Sequence, residues 1–243
     1  MGEAVQRQAE APLLAVNDLH AWYGESHVLH GISFDVSRGQ VISLTGRNGV
    51  GKSTTLRAIM GLIKKRTGSV VLEDAETIRL KSRDIARRGV GFVPEHRGIF
   101  ASLSVHENLM LPPVVGKASL SRNEIFQLFP NLERRMSSQG TRLSGGEQQM
   151  LAIARVLRAG APLVLLDEPT EGLAPVIIEQ IGAMLRKLRE RGYTIVLVEQ
   201  NVQFAWSVTD CFHVIEHGRV VDSFQTAGAA GSDIGRLKRY LGV

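Results

Sequence analysis

A glycine-rich stretch between an apolar segment and a helical one constrains the fold of this 243-residue chain more than any other feature. The stretch reads Gly46-Arg47-Asn48-Gly49-Val50-Gly51-Lys52-Ser53-Thr54. A strand pattern at 41–45 precedes it, and a helical pattern at about 52–62 follows it. Glycine, four residues and Gly-Lys-Ser in this context form the phosphate-loop pattern. The sequence therefore predicts a phosphate-binding loop after a strand; the alternative is a glycine-rich turn that only caps the helix.

The residue types of this loop suit a triphosphate. Glycines let backbone amides turn inward around phosphate oxygens, and amides at a helix N-terminus carry partial positive charge. The Lys52 ammonium can reach the outer phosphates, and the Ser53 hydroxyl can ligate Mg²⁺. We therefore predict a nucleotide site formed by Gly46, Asn48, Gly49, Gly51, Lys52, Ser53 and Thr54.

Two carboxylates follow a second apolar strand pattern. Residues 163–166 suit a buried parallel strand, and Asp167 and Glu168 come directly after it. Ligands of α/β proteins bind at the carboxyl ends of such strands. We predict that Asp167 holds the Mg²⁺ shell and that Glu168 orients and polarises the attacking water, because phosphoryl transfer depends mainly on positioning and electrostatics. A surface turn beginning Asp-Glu-Pro is the alternative interpretation.

A third stretch predicts a second anion site and reads Leu143-Ser144-Gly145-Gly146-Glu147-Gln148-Gln149. Ser144 with Glu147 is a capping-box pattern at a helix start. A cap does not require two glycines in the first turn, where each costs about 1 kcal/mol relative to alanine. The bare amides of Gly145 and Gly146 make sense if a phosphate must come very close.

Alternating strand and helix patterns predict a mainly parallel sheet with helices on both faces. Helical patterns at 105–110, 122–129 and 145–158 predict a helical subdomain inserted at about 95–160. We expect residues 1–11 to form a flexible tail and residues 12–243 a single domain, closed by a small helix within 226–243. The chain length and the 44% of hydrophobic residues suit one domain with a sizeable core.

Composition also bears on location and partners. No apolar stretch approaches the roughly 20 residues of a membrane-spanning helix, the first residues lack a signal-peptide pattern, and a single cysteine, Cys211, agrees with a reducing compartment. We therefore expect a cytosolic protein.

The net charge of +5 fits a solvated surface of mixed charge, with attraction to anionic lipid or nucleic acid as alternatives. With 5% aromatic residues, not interleaved with the basic clusters, a base-stacking platform is not expected.

With these motifs in this order, nearly the whole chain resembles the ATP-binding cassette family, whose signature is Leu-Ser-Gly-Gly-Gln/Glu. The resemblance implies an α/β fold of the ABC ATPase type: a P-loop NTPase core, with a mainly parallel sheet, an antiparallel β subdomain and the helical insertion. It also implies that two cassettes pair head to tail around ATP. Ser144, Gly145 and Gly146 would then serve the partner's nucleotide, and the chain alone would be a poor ATPase.

Further positions carry over from the family one by one. Tyr23 matches the aromatic residue that stacks on adenine, and residues 171–175 match the D-loop that communicates across the dimer.

Two positions depart from the common pattern. Glu95 stands where most members have glutamine, and we predict that it still reaches Mg²⁺. Gln200 stands where most have a switch histidine; it can donate a hydrogen bond to the γ-phosphate but cannot exchange a proton near neutral pH. We assign Gln200 a catalytic role and expect slow or unusual turnover.

Segments 93–100, 143–151, 171–175 and 197–201 are similar to the shorter ATP-binding subunit of bacterial high-affinity branched-chain amino acid importers. This similarity implies a second, different ATP-binding subunit, two membrane permeases, a periplasmic solute-binding protein and a location on the cytoplasmic face of the inner membrane. The permease would contact residues of about 95–108, with Phe92, Ile99 and Phe100 as apolar candidates. A urea or short-chain amide importer is one alternative. A soluble cassette acting on nucleic acid is another, of a different class.

Overall fold

The first layer of the fold is a four-stranded antiparallel sheet. The computed structural model describes residues 11–116, 119–226 and 231–241, so the tail predicted at 1–11 lies outside the described residues except for Ala11. The strand order is β2-β1-β4-β5. The strands are β1 (Leu14–Tyr23), β2 (Ser26–Val36), β4 (Lys65–Leu72) and β5 (Ala75–Glu76).

The second layer is a six-stranded, mainly parallel sheet in the order β10-β9-β3-β8-β7-β6. Only the β9–β10 pair is antiparallel among its neighbouring described strands. All residues of β3, β7 and β8 are buried, as expected for central parallel strands. The strands are β3 (Val41–Thr45), β6 (Val90–Val93), β7 (Leu163–Asp167), β8 (Thr194–Val198), β9 (Cys211–Glu216) and β10 (Arg219–Gln225).

Helices surround this sheet, and four of them, α3 to α6, follow one another along the chain between β6 and β7. Ser104, Ser121 and Ser144 each begin a helix with a complete capping box. The helices are α1 (Lys52–Ile59), α2 (Ser82–Arg87), α3 (Val105–Met110), α4 (Arg122–Leu128), α5 (Pro130–Arg134), α6 (Gly145–Ala159), α7 (Pro175–Glu190), α8 (Val202–Val208) and α9 (Gly231–Leu241). Within the described ranges, none of them has the length and apolar character to cross a bilayer.

The core lies on both faces of the six-stranded sheet. Leu163 and Leu165 of β7 pack with apolar residues of the antiparallel sheet and α1. Val164 and Leu166, which alternate with them, pack with apolar residues of α3 to α7. The sheet is therefore sandwiched, and the α/β fold class predicted from the sequence is confirmed.

Several element boundaries differ from those predicted. The helix predicted at 52–62 ends at Ile59, because Gly61 adopts a positive φ of 73° that ends the helix. The strand predicted at 69–72 begins earlier, at Lys65, where polar residues pair with β1 without any apolar alternation. The short helices α5 and α8 were not predicted from the sequence. The predicted C-terminal helix is present as α9, whereas 227–230 and 242–243 lie outside the described residues.

Candidate functional site

The glycine-rich loop connects the end of β3 to the start of α1. Gly46 and Gly51 have φ angles of 151° and 111°. A Cβ atom on Gly46 would lie 2.3 Å from the Ile215 carbonyl oxygen, and one on Gly51 would lie 2.8 Å from Leu29 Cδ2. The positive φ favours glycine at both positions, and at Gly46 the backbone carbonyl oxygen also leaves no room for a Cβ.

Lys52 places a positive charge inside this loop. Its Nζ donates to the carbonyl oxygens of Gly46 and Arg47, each at 2.9 Å, and the residue is 5% exposed. Burial lowers the pKa of Lys52, while the charges of Glu168 and Asp167 act in the opposite direction. The loop thus holds an ammonium group next to two carboxylates.

Ser53 and Asp167 join the first turn of α1 to the end of β7. The Ser53 hydroxyl donates to Asp167 Oδ1 at 2.7 Å. Burial raises the pKa of Asp167, although the Ser53 hydrogen bond and the Arg57 charge lower it. The other carboxylate oxygen, Oδ2, is buried and has no hydrogen-bond partner among the residues that the structure describes. A hydroxyl beside a carboxylate with a free oxygen is a donor set that suits Mg²⁺, which prefers oxygen ligands.

Glu168 follows Asp167 in the left-handed region, with φ of 47°. Its backbone N–H donates to the Val198 carbonyl oxygen at 2.9 Å, which fixes the residue against β8. Gln200 Nε2 donates to Glu168 Oε2 at 2.7 Å. A hydrogen bond with Glu168 raises the pKa of Glu171, and burial adds to this effect.

These side chains share one cleft of about 280 Å³ at the carboxyl ends of the strands. The cleft is lined by Asn48, Gly49, Gly51, Lys52, Ser53, Thr54, Glu95, Glu168, Glu171 and Gln200. Gly46 and Asp167 lie behind it and bind the Lys52 and Ser53 side chains. The tertiary structure thus brings together the phosphate loop, the acid pair and both positions that depart from the family pattern.

Tyr23 and the signature segment are not among the described residues that line this cleft. Tyr23 ends β1 and is 47% exposed. A Cβ on Gly145 would lie 3.2 Å from the Arg97 guanidinium, and one on Gly146 would lie 2.9 Å from Ile177 Cγ2. Gly146 therefore has a packing reason in addition to the predicted approach of a phosphate.

Sequence reasoning missed the roles of two acidic side chains in this region. Glu171 was assigned only to the D-loop, yet its carboxyl group lines the cleft beside Glu168. Glu199 is 3% exposed and bonds Thr170 and the backbone after β8. A charged residue directly after the apolar run 195–198 is the one signal that could have identified Glu199.

A separate groove of about 610 Å³ lies between α2, β6 and α6. Of the apolar residues predicted for a permease contact, Phe92 lines the groove, whereas Ile99 packs against the core under α3 to α7. Phe100 is 44% exposed, and the Arg155 guanidinium lies 5.0 Å from its ring. Four arginines line the groove together with apolar side chains: Arg83, Arg87, Arg97 and Arg155.

Comparison with known proteins places this site in a family. The family model described as ABC transporter matches residues 29–171. The chain is 39% identical to the high-affinity branched-chain amino acid transport ATP-binding protein BraG of Pseudomonas aeruginosa, over 86% of this chain and 91% of that protein. It is 36% identical to the probable branched-chain amino acid transport ATP-binding protein LivF of Archaeoglobus fulgidus, over 86% and 90%. It is 32% identical to the lipopolysaccharide export system ATP-binding protein LptB of Escherichia coli (strain K12), over 87% and 89%.

A solved structure agrees with this assignment. The dimeric structure of a post-hydrolysis state of the ATP-binding cassette MJ0796, bound to ADP and Pi, aligns with a TM-score of 0.77 at 27% identity, over 88% of this chain and 98% of that one. The fold, the residues that line the cleft and the similarity to relatives all indicate the same family. The chain belongs to the ABC transporter family, as an ATP-binding cassette whose hydrolysis of ATP is coupled to transport.

Proposed function

We propose that this cassette energises an importer of branched-chain amino acids, with Mg²⁺–ATP bound in the cleft of the phosphate loop. One observation carries the catalytic part of the proposal. Lys52, the Ser53–Asp167 pair and the Glu168–Gln200 pair converge on one cleft from three strand ends. A surface turn or a helix cap would not require these groups to converge, whereas phosphoryl transfer does require it.

In this proposal the loop amides of residues 46–54 and the Lys52 ammonium bind the β- and γ-phosphates. Ser53 and Asp167 would hold Mg²⁺, and Glu95 at the rim of the cleft would reach its shell. When bound, Mg²⁺ neutralises charge on the phosphate oxygens. Lys52 offsets part of the mutual repulsion between the carboxylates and the phosphates. Tyr23, exposed at the end of β1, would stack on adenine.

Glu168 and Gln200 would carry out hydrolysis. The Glu168 carboxylate accepts a hydrogen bond from the attacking water, takes its proton as the oxygen attacks the γ-phosphorus, and so assists release of ADP and phosphate. Gln200 donates to the same carboxylate at 2.7 Å and holds it in place. It can also donate to the γ-phosphate. Because an amide does not titrate near neutral pH, proton exchange falls to Glu168 alone in this pair.

A second cassette would complete the site. Ser144, Gly145 and Gly146 do not line the cleft within the described part of the chain, so a nucleotide bound there would meet another cassette's signature. The dimeric MJ0796 cassette is consistent with such pairing. We propose a different, second ATP-binding subunit as the partner.

The groove beside β6 is the proposed permease contact. Its apolar lining with four arginines suits an amphipathic cytoplasmic segment of a membrane subunit. Two permeases and a periplasmic solute-binding protein would form the rest of the transporter, with this chain peripheral on the cytoplasmic face of the inner membrane.

The assignment of the transported solute is based on similarity to relatives. BraG and LivF are named for branched-chain amino acid transport, at 39% and 36% identity, which favours this class over the export system of LptB at 32%. Urea or a short-chain amide is the second candidate among imported solutes. A soluble cassette acting on nucleic acid is disfavoured, because the relatives named here serve transport systems.

The test uses the transporter complex purified through a tag on this chain and reconstituted with its solute-binding protein. We expect ATPase activity that leucine, isoleucine or valine stimulates and that urea does not. Glu168→Gln should lower turnover about 100- to 1,000-fold, as loss of one transition-state contact does, while ATP still binds. Stimulation by urea alone would reassign the solute. Full, concentration-independent activity of the lone chain would refute the shared site.

A further inference from the structure

We propose that Glu199 is a positioning residue that connects the D-loop, residues 171–175, to Gln200 and thereby fixes the Glu168 carboxylate for attack. This inference rests on the proposed function, because it concerns how the catalytic groups of the same cleft are positioned. It assigns a role to a buried side chain that is not among the described residues lining the cleft.

Glu199 receives hydrogen bonds from two separate loops. It directly follows β8 and is 3% exposed. Its Oε1 accepts from the backbone N–H groups of Gln200 at 2.9 Å and of Asn201 at 3.0 Å. Its Oε2 accepts from the Thr170 hydroxyl at 2.8 Å. One carboxylate therefore joins the segment after β7 to the segment after β8.

On one side, this network continues into the D-loop. The Thr170 carbonyl oxygen accepts from the Leu173 N–H at 3.2 Å, and Thr170 is 4% exposed. Leu173 packs against the apolar core under α3 to α7. A displacement of residues 171–175 by a second cassette would therefore act on Thr170 and, through its hydroxyl, on Glu199.

On the other side, the network reaches the reacting groups. Gln200 has its backbone N–H held by Glu199, and its Nε2 donates to Glu168 Oε2 at 2.7 Å. Asn201 caps the next helix, since its side-chain oxygen accepts from the Phe204 N–H at 3.1 Å. Gln200 is thus fixed from both sides, and its side chain holds Glu168.

The choice of a carboxylate at position 199 supports a linking role. Burying a charged group is unfavourable unless hydrogen bonds replace water, and a residue that only filled space after β8 would be apolar. The pKa of Glu199 is raised on balance, because burial raises it and the hydrogen bonds from Asn201, Thr170 and Gln200 lower it only in part. A satisfied buried network of this kind holds its members in one arrangement.

The decisive substitution is Thr170→Val, which removes one hydrogen bond of the network and keeps the side-chain shape. Thr209→Val is the matched control. Thr209 is also 4% exposed, and its hydroxyl has no hydrogen-bond partner within the described residues. Both variants are made in the full chain and purified as the transporter complex. The measurements are kcat, KM for ATP, affinity for a fluorescent ATP analogue, and the midpoint of thermal unfolding.

We expect Thr170→Val to lower kcat about 10-fold, the factor expected for a hydrogen bond to a charged group. KM and analogue affinity should stay within about 2-fold, because no phosphate contact is lost. Thr209→Val should leave all four quantities unchanged. An unchanged kcat in Thr170→Val, or an equal loss in both variants, would refute the link.

A double-mutant cycle with Gln200→Ala tests the direction of the link. If Thr170 acts through Gln200, the loss from Thr170→Val disappears once Gln200 is alanine, and the effects are not additive. Additive effects would refute the inference. Glu199→Gln, which retains an acceptor for the backbone N–H groups, should be less impaired than Glu199→Ala. If Glu168→Gln retained full turnover, the proposed function itself would fail, whatever the result for Thr170.

Discussion

Two of the described helices, α1 and α6, begin at glycine-rich motifs, and they differ in how their first amides are satisfied. Helix α1 begins after Gly51, at φ of 111°, and no described side chain caps it. Helix α6 begins after Ser144, whose side chain accepts from the Glu147 N–H while Glu147 accepts from the Ser144 N–H. The first amides of α1 therefore have no side-chain acceptor among the described residues, whereas part of the α6 start is satisfied internally.

The surroundings of the two helix starts differ in the same way. At α1, an ammonium group, a hydroxyl and several carboxylates converge on one cleft. At α6, the groups near the glycines are the Arg97 guanidinium and Ile177. In the proposed function, α1 would therefore carry nearly all the chemistry of a hydrolytic site, while α6 would supply only an anion-binding half for the nucleotide of another cassette.

Lys52→Ala, at the start of α1, should have the largest effect of the substitutions at the two helix starts. The substitution removes the charge inside the loop and leaves the carbonyl oxygens of Gly46 and Arg47 without their donor. We expect ATP affinity of the isolated chain to fall at least about 100-fold, which corresponds to about 2.7 kcal/mol. Fluorescent-analogue titration measures it. Ser144→Ala in the same assay should bind as the native chain does, and equal losses in both variants would contradict the division between the two helix starts.

Ser144→Ala tests the start of α6, with Ser121→Ala as its matched control. Both serines begin a helix with a complete capping box, so each substitution should lower the free energy of unfolding by about 1 kcal/mol. Only Ser144→Ala should lower ATPase turnover of the assembled transporter. Denaturant unfolding and steady-state ATPase assays separate the two effects. If Ser144→Ala and Ser121→Ala lowered turnover equally, Ser144 would have no role beyond capping its helix.

Glu147→Gln should have the smallest effect, below about 0.5 kcal/mol at neutral pH. Burial raises the pKa of Glu147, but hydrogen bonds from Ser144 and the Arg135 charge outweigh it, and the net pKa is lowered. A lowered folded pKa contributes stability above the unfolded value, and this contribution is lost as the pH falls through the folded pKa. The difference in unfolding free energy between native chain and variant should therefore vanish in acid. A difference that grew toward low pH would contradict this sign.

The motifs and the fold class follow from the sequence, because each depends on local chemistry. The strand, the glycine loop and the helix are contiguous in 41–59, and the acid pair lies at the end of β7. Each capping box joins two residues that are three positions apart. The strand at Lys65 was less accessible to sequence reasoning, because pairing with β1, rather than an apolar pattern, extends it. Helix α8 was missed although Asn201 caps it, because its seven residues are too few for a clear period.

Hydrophobic pattern and glycine placement act over a few residues, so the order of phosphate loop, signature helix and acid pair is already encoded locally in the chain. Which of these motifs lie next to one another depends on the pairing of strands that are distant in the chain. Parallel pairing of β7 with β6 and β8 brings Glu95, Glu168 and Gln200 to one edge, although they are far apart in the chain. The link from Thr170 through Glu199 to Gln200 exists for the same reason: adjacent strands place two loops within hydrogen-bond reach, and no local pattern encodes that approach.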